Sequence, residues 1–369
     1  MEFNEILRIM VENRSSDLFM KVGAPPSMRV DGTLERIGQQ PITQEKMQEY
    51  FNKIANKFML EKFNLDHEAD SSYEIEGVGR FRVNVFWQRG KISMVLRHIK
   101  SFIPKFDDLG LPAKGLTALC NKPRGLVLVT GITGSGKSTT IASMLQLLNN
   151  TEKRHILTLE DPIEFVYTDD KSFFNQREIG MDSRNFVNAL KNAMRESPDV
   201  ILIGEMRDKE TMEAAINAAE TGHLVFSTLH SVDAMQTVDR IINFFPPHQH
   251  NLIRMQLSMV LEGVISQRLL KRSDGPGRVA VCELMIASPY VREILLEGET
   301  LKLYGAIKEG EYFGSQTFNT HLRSLANKGI ITKEDALRAS DKPDELALEF
   351  KGISKGAKGS DFFGQKKEE

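Results

Sequence analysis

At 369 residues, 41% hydrophobic and 27% charged, the chain has the balance of an ordinary folded protein with length enough for two cored domains. Lysine and arginine (48) almost match aspartate and glutamate (50), and the net charge of -2 argues against a partner recognised by bulk charge, such as nucleic acid or an anionic membrane. Two cysteines, Cys120 and Cys282, are too few for a disulfide framework or a four-thiolate zinc site.

The N-terminal stretch carries Glu2, Glu5 and Glu12 where a secretory signal would carry basic charge, and no run of about 18 uncharged apolar residues offers a membrane span. A reduced, cytoplasmic setting is the expectation. Residues 5–11 have the spacing of a short amphipathic helix. Residues 18–22 and 28–37 read as strands, the second folding back at Asp31-Gly32. A helical pattern starting at Thr43 runs to about residue 62. FRVNVFW (81–87) and ISMVLRHI (92–99) alternate with period two across a Gln88-Arg89-Gly90 turn, so an antiparallel sheet with a few helices is expected. Pro104, Gly110 and Pro112 punctuate SFIPKFDDLGLP, which reads as an interdomain linker.

Beyond the linker the rhythm changes. GLVLVTG, KSTTIASMLQLLNN, HILTLED, a helix over 184–195, VILIG, a helix over 208–220 and HLVFSTLH alternate strand with helix, which predicts a mainly parallel sheet covered on both faces. From 251 to about 339 the pattern is mostly helical, with one strand near 279–285. The end, GISKGAKGSDFFGQKKEE, has the composition of a disordered, solvated tail, and lysines gather there, Lys351 just before it and Lys355 and Lys358 within it. The expected division is 1–100, a linker over 101–113, a second domain over 114–345 and a tail over 346–369.

GITGSGKST follows an apolar strand and opens a helix, and it fits G-x-x-x-x-G-K-S/T in full. Its glycines, Gly131, Gly134 and Gly136, let backbone N–H groups turn inward without a Cβ in the way. Together with Ile132, Thr133, Ser135 and Thr139 they form a cradle for the phosphates of a nucleoside triphosphate. Lys137 supplies charge for the β and γ phosphates, and Ser138 offers a hydroxyl to Mg²⁺.

In a parallel sheet the carboxyl ends of neighbouring strands lie beside the phosphates, so VILIG would deliver Glu205 there to orient an attacking water or to hold Mg²⁺ through water. The position before it, where such sites usually carry aspartate, is Gly204, which leaves Ser138 as the direct metal ligand. LEDPIEF places Glu160, Asp161 and Glu164 at another strand end, and Glu164 could share the water-activating task. HLVFSTLH begins near His223, a structural position, and ends at His230, a candidate sensor of the γ phosphate. PPHQH (246–250) offers no third metal ligand, and the 16 methionines fit packing.

With GITGSGKST, the segments LEDPIEF, RESPDVILIGEMRD and AAETGHLVFSTLH resemble, in order and spacing, the motifs of the secretion and pilus motor ATPases. NQREIG and VISQRLLKR agree, and the chain is most similar to the type IV pilus retraction ATPases, PilT and PilU. The segment SPYVREILLEGE (288–299) stands where PilT-type chains carry an AIRNLIRE-like motif, which favours the accessory PilU type. The resemblance implies an α/β chain: a PAS-like α+β N-terminal domain and a RecA-like P-loop domain with a helical C-terminal extension. It further implies ATP and Mg²⁺ bound between these domains, a homohexameric ring, and the strand arginines Arg82 and Arg97, with Arg80 a third candidate, brought toward the γ phosphate. The implied partners are a PilT-like ATPase and an inner-membrane pilus platform protein, at the cytoplasmic base of the pilus. A nucleic-acid motor and a non-hydrolysing regulator are the competing readings, the first disfavoured by the even charge and the second by the intact loop and acids.

Overall fold

The computed structural model describes residues 1–30, 32–99 and 102–352. Asp31 of the expected hairpin, Ser101 at the start of the linker, and the C-terminal end from 353, with Lys355 and Lys358, lie outside the described residues.

Two sheets organise the chain. The first comprises β1 (Asp17–Lys21), β2 (Ser27–Val30), β3 (Thr33–Arg36), β4 (Glu68–Ile75), β5 (Gly79–Gln88) and β6 (Lys91–Ile99). Their order is β3-β2-β1-β6-β5-β4, with every neighbouring pair antiparallel. Strand alternation puts Phe81, Val83, Val85, Met94 and Leu96 on one face, in a core shared with Phe3, Leu7, Met47, Phe51 and Phe63 of the covering helices. Arg80, Arg82 and Arg97 are left on the other face. The single helix expected over 43–62 is two, Gln44–Ile54 and Lys57–Asp66. Ala55 is extended, and Asn56 starts the second helix by accepting a hydrogen bond from the Met59 N–H, as Thr43 does for the first from Lys46. Strand β4 was not expected, because its buried positions before Ile75 are only a small apolar residue, Ala69, and a polar one, Ser71.

The second sheet comprises β7 (Gly125–Thr130), β8 (His155–Glu160), β9 (Phe173–Glu178), β10 (Val200–Ile203), β11 (Leu224–Leu229), β12 (Leu261–Lys271) and β13 (Arg278–Ile286). The order is β13-β12-β7-β11-β10-β8-β9, parallel except for the antiparallel edge strand β13. Apolar clusters fill both of its faces, one under helices Lys209–Glu220, Ala234–Asn243 and His250–Val260, the other under Ala113–Cys120 and Lys137–Thr151. The mixed α/β architecture is as read from the alternation of patterns.

The stretch read as helical after 251 is corrected here: helix His250–Val260 gives way at once to β12, whose first seven residues are all buried. A strand covered on both faces has no apolar–polar alternation to betray it. Strand β9 was also missed. The linker, from 102, holds a short helix, Phe106–Leu109, ended by Gly110 at φ +73°. The tail expected from 346 does not begin there: helix Pro343–Phe350 runs through that point and buries Leu346 in a cluster with Val279, Phe318 and Leu322.

Candidate active site

All six residues of β7 are buried, and the chain leaves its carboxyl end into the glycine loop. Gly131 (φ +143°), Gly134 (φ +79°) and Gly136 (φ +91°) hold conformations that side chains disfavour. A Cβ on Gly131 would also sit 2.4 Å from the Gln267 carbonyl oxygen, and one on Gly136 would sit 2.8 Å from Gln267 Nε2. Gly136 stands at the N-cap of helix Lys137–Thr151, where it brings no side chain to occupy the free N–H groups of the first turn. Such an end attracts an anion. The Ser135 hydroxyl is buried beside it without a hydrogen-bond partner. These features fit a phosphate chain.

Lys137 folds over the loop and donates to the carbonyls of Gly131 (2.9 Å) and Ile132 (3.2 Å). Burial lowers its pKa, against the opposing pull of the Glu205 and Glu164 carboxylates. A cavity of about 400 Å³ opens beside it. Thr133, Gly134, Lys137 and Ser138 line one wall. The ends of β8, β10 and β11 bring Glu160, Asp161, Glu164, Glu205 and His230 to the same space, and Arg82 reaches it from β5 of the first sheet.

Glu205 is held from two sides. Its Oε1 lies 3.1 Å from His230 Nε2, and its Oε2 pairs with Arg207 at 2.9 Å. Burial alone would raise the carboxyl pKa, but Arg207, His230 and Lys137 outweigh it and lower the value, so the group is a ready anion at neutral pH. The hydroxyl of Thr228 steadies the preceding turn by donating to the Gly204 carbonyl at 2.7 Å. Glu160 differs. It is buried, accepts from the Glu164 N–H (3.3 Å) and the Gln176 amide (3.4 Å), and burial pushes its pKa up to about 7. Glu164, exposed, faces the cavity from the same loop.

The other expected residues fall elsewhere. Arg97 does not line the cavity; its Nε donates to Asp17 Oδ1 at 2.8 Å. Arg80 pairs with Glu178 at 2.8 Å. His223 packs locally, its Nδ1 2.9 Å from the Ala218 carbonyl oxygen. No group of three His, Cys, Asp or Glu side chains suited to a metal occurs among the described residues. A metal entering with phosphates would therefore rely on the Ser138 hydroxyl and on ligands that it brings.

Two residues that sequence reasoning passed over complete the site. Arg207, two residues past Glu205, pairs with that carboxylate and helps keep it ionised. Gln267 of β12 ties the loop down: its amide donates to the Ser135 carbonyl (2.8 Å), and its Oε1 accepts from the Thr140 hydroxyl (2.6 Å). The signal for Gln267 was an amide at the centre of a short polar step, Ser266-Gln267-Arg268, between the apolar pairs of VISQRLL. With phosphates along the loop, the arrangement can hold them by backbone N–H groups and one lysine, and can orient a water between two carboxylates and an imidazole.

Residues 2–279 match the family model described as type II/IV secretion system protein. The chain is 44% identical to the type IV pilus retraction ATPase PilT of Pseudomonas aeruginosa, over 94% of its own length and all of that relative. It is 41% identical to the type IV pilus ATPase PilU of the same organism, over 95% of its length and 92% of that relative. The crystal structure of the pilus retraction motor PilT with bound ADP aligns with a TM-score of 0.86 at 44% identity, covering 94% of this chain and 99% of that one. Identities of 44% and 41% lend no weight to the preference for the PilU type drawn from segment 288–299.

Proposed function

The chain belongs to the type II/IV secretion system protein family, and we propose that it is an ATP-hydrolysing motor that powers type IV pilus retraction, or assists a PilT-like ATPase in doing so. The observation that carries this reading is the convergence of Glu164, Glu205 and His230, from three strand ends, on the cavity beside Lys137 and Ser138. In this reading residues 1–100 form a PAS-like domain and 114–345 a RecA-like domain with a helical C-terminal extension. ATP binds between them, and six copies form a ring. The ring works at the cytoplasmic base of the pilus against an inner-membrane platform protein, without nucleic acid. In this reading attachment there is peripheral; no helix among the described residues is long and apolar enough to cross a membrane.

The chemistry assigned to each residue follows from its position. The loop N–H groups and Lys137 grip the β and γ phosphates. Mg²⁺, held by Ser138, would neutralise charge between those phosphates. Glu205, kept ionised by its cationic neighbours, aligns and polarises the attacking water, with Glu164 as the second carboxylate within the cavity. His230 links the state of Glu205 to the end of β11. The Arg82 guanidinium meets charge spreading over the γ phosphoryl oxygens. Arg97 would join it only once its pair with Asp17 opened.

Lys137→Ala and Glu205→Ala are expected to abolish phosphate release by the purified protein while its circular dichroism stays native. Normal hydrolysis by Glu205→Ala would remove the base assignment, and absence of hydrolysis by the unaltered chain would leave a non-hydrolysing scaffold. The accessory reading rests on the departure at 288–299, where SPYVREILLEGE forms helix Pro289–Glu297. Deletion of the gene with and without the PilT-like partner, scoring retraction, separates it from a self-sufficient motor.

A further inference from the structure

Three arginines of β5 and β6 share the face of the first sheet turned away from its core, and they have three different fates. Arg82 and Arg97 stand directly opposite each other on β5 and β6, a repulsive pairing of like charges. Asp17, opposite Arg97 on β1, relieves it by taking the Arg97 Nε. Arg82 lines the nucleotide cavity and makes a loose, exposed ion pair with Asp70 at 3.7 Å.

Arg80 does something else. Its Nη2 donates to Glu178 Oε2 and to the Ser72 hydroxyl, both at 2.8 Å. Glu178 closes β9 in the second sheet, and its side chain is only 4% exposed. The same Oε2 accepts from the Ile163 N–H at 3.3 Å, one residue before Glu164. The root of this carboxylate is fixed as well, since the Glu178 N–H donates to Asp182 Oδ2 at 2.8 Å. A second contact crosses the same seam, from the Ser72 hydroxyl to Met181 Sδ at 3.1 Å. One oxygen thus joins the arginine strand of one sheet to the acid loop of the other.

We propose that Arg80 and Glu178 are positioning residues: a latch between the two sheets that seats Arg82 over the cavity, opposite Glu164. Residues two apart on a strand lie on the same face about 6.7 Å from each other, so pinning Arg80 leaves the Arg82 backbone little room to move. A buried carboxylate also enforces the seam, because separating it from its arginine strands a charge away from water. The latch rests on the reading of Arg82 as the charge that meets the γ phosphoryl group, and it removes Arg80 from the set of phosphate-binding candidates.

The test is a double-mutant cycle on the full chain, measuring ATP turnover and thermal unfolding for Arg80→Ala, Arg82→Ala, the double variant and Glu178→Gln. We expect Arg80→Ala and Glu178→Gln each to lower kcat by about tenfold or more with a smaller change in KM. Arg80→Ala should add nothing in the Arg82→Ala background, and Arg80→Lys should recover part of the loss. Additive losses would mean that Arg80 touches the nucleotide itself and would overturn the latch. A lowered Tm with unchanged kcat would also overturn it, leaving a structural pair. If Arg82→Ala is impaired while Arg80→Ala turns over normally, the latch alone falls; if Arg82→Ala is itself normal, the assignment of Arg82 falls and the latch with it.

Discussion

Gln267→Ala removes a side chain that ties the phosphate loop to β12. Gln267, Ser135 and Thr140 are 3%, 3% and 0% exposed, so water cannot replace what the amide supplied. Two neutral hydrogen bonds are lost, at about 1 kcal/mol each, and the Ser135 carbonyl and Thr140 hydroxyl are left dry, so a total near 3 kcal/mol is reasonable. Part of that loss lowers the stability of the fold. The rest is disorder in the loop that a bound nucleotide must undo, and every 1.4 kcal/mol or so spent in this way weakens binding tenfold. The variant should therefore unfold at a lower temperature without nucleotide and bind a fluorescent ADP analogue roughly tenfold more weakly. Its kcat at saturating ATP should change less, because Gln267 does not line the cavity. Unaltered ADP affinity together with an unaltered Tm would refute the reasoning, since the loop would then hold its shape without that amide.

Glu283 is buried in β13 and accepts from the Ala234 N–H at 2.9 Å, and burial pushes its pKa from 4.5 to about 7. The folded chain therefore holds a proton that the unfolded chain gives up, and stability should fall as pH rises from about 5 to 7, by up to roughly 3 kcal/mol. Glu283→Gln should flatten that slope in urea titrations at pH 5 and pH 8, with a remainder from Glu160, which is shifted in the same direction; parallel curves for the two proteins would contradict this. Arg97→Ala should lower turnover less than Arg82→Ala does and should chiefly lower Tm, since it leaves nearly buried Asp17 with Arg29 at 3.8 Å as its remaining ion pair.

The chemical half of the site was legible in local windows. GITGSGKST announces itself because glycine spacing, lysine and hydroxyl must be contiguous to wrap a phosphate. Glu205 and His230 were legible because short apolar strands, β10 and β11, stop at polar residues. Helix starts such as Asp208, which accepts from the Thr211 N–H, were equally visible. Strand β12 was not, because it follows helix His250–Val260 without a break and its first seven residues, polar and apolar alike, are buried, so neither period shows. Nor could the pattern separate Arg82 from Arg97. Both occupy outward positions of alternating strands, and what distinguishes them is Asp17, eighty residues from Arg97 in sequence and brought opposite it only by the register of β1 on β6.

That division has a physical origin. Groups that contact a small ligand can come from a few short segments, but the groups that hold those segments still must come from whatever packs against them. Residues 267 and 268 illustrate it. Neighbours on a strand point to opposite faces. Gln267 grips the phosphate loop, while Arg268 donates to the Ala339 carbonyl at 2.8 Å, pairs with Asp341 at 2.6 Å and lies over the Phe318 ring. The loop and the C-terminal helices are thus hung on consecutive residues of one strand. On β9, the edge strand at the far side of the sheet, Glu178 ties in the arginine strand of the first sheet. Each anchor joins residues roughly seventy to more than a hundred and thirty positions apart, so none leaves a periodic trace in the sequence around it. Displacement of the Gln267 or Glu178 anchor would change what surrounds the cavity without altering a residue that lines it, which is why variants at Gln267, Arg80 and Glu178 discriminate between a correctly read site and a merely recognised motif.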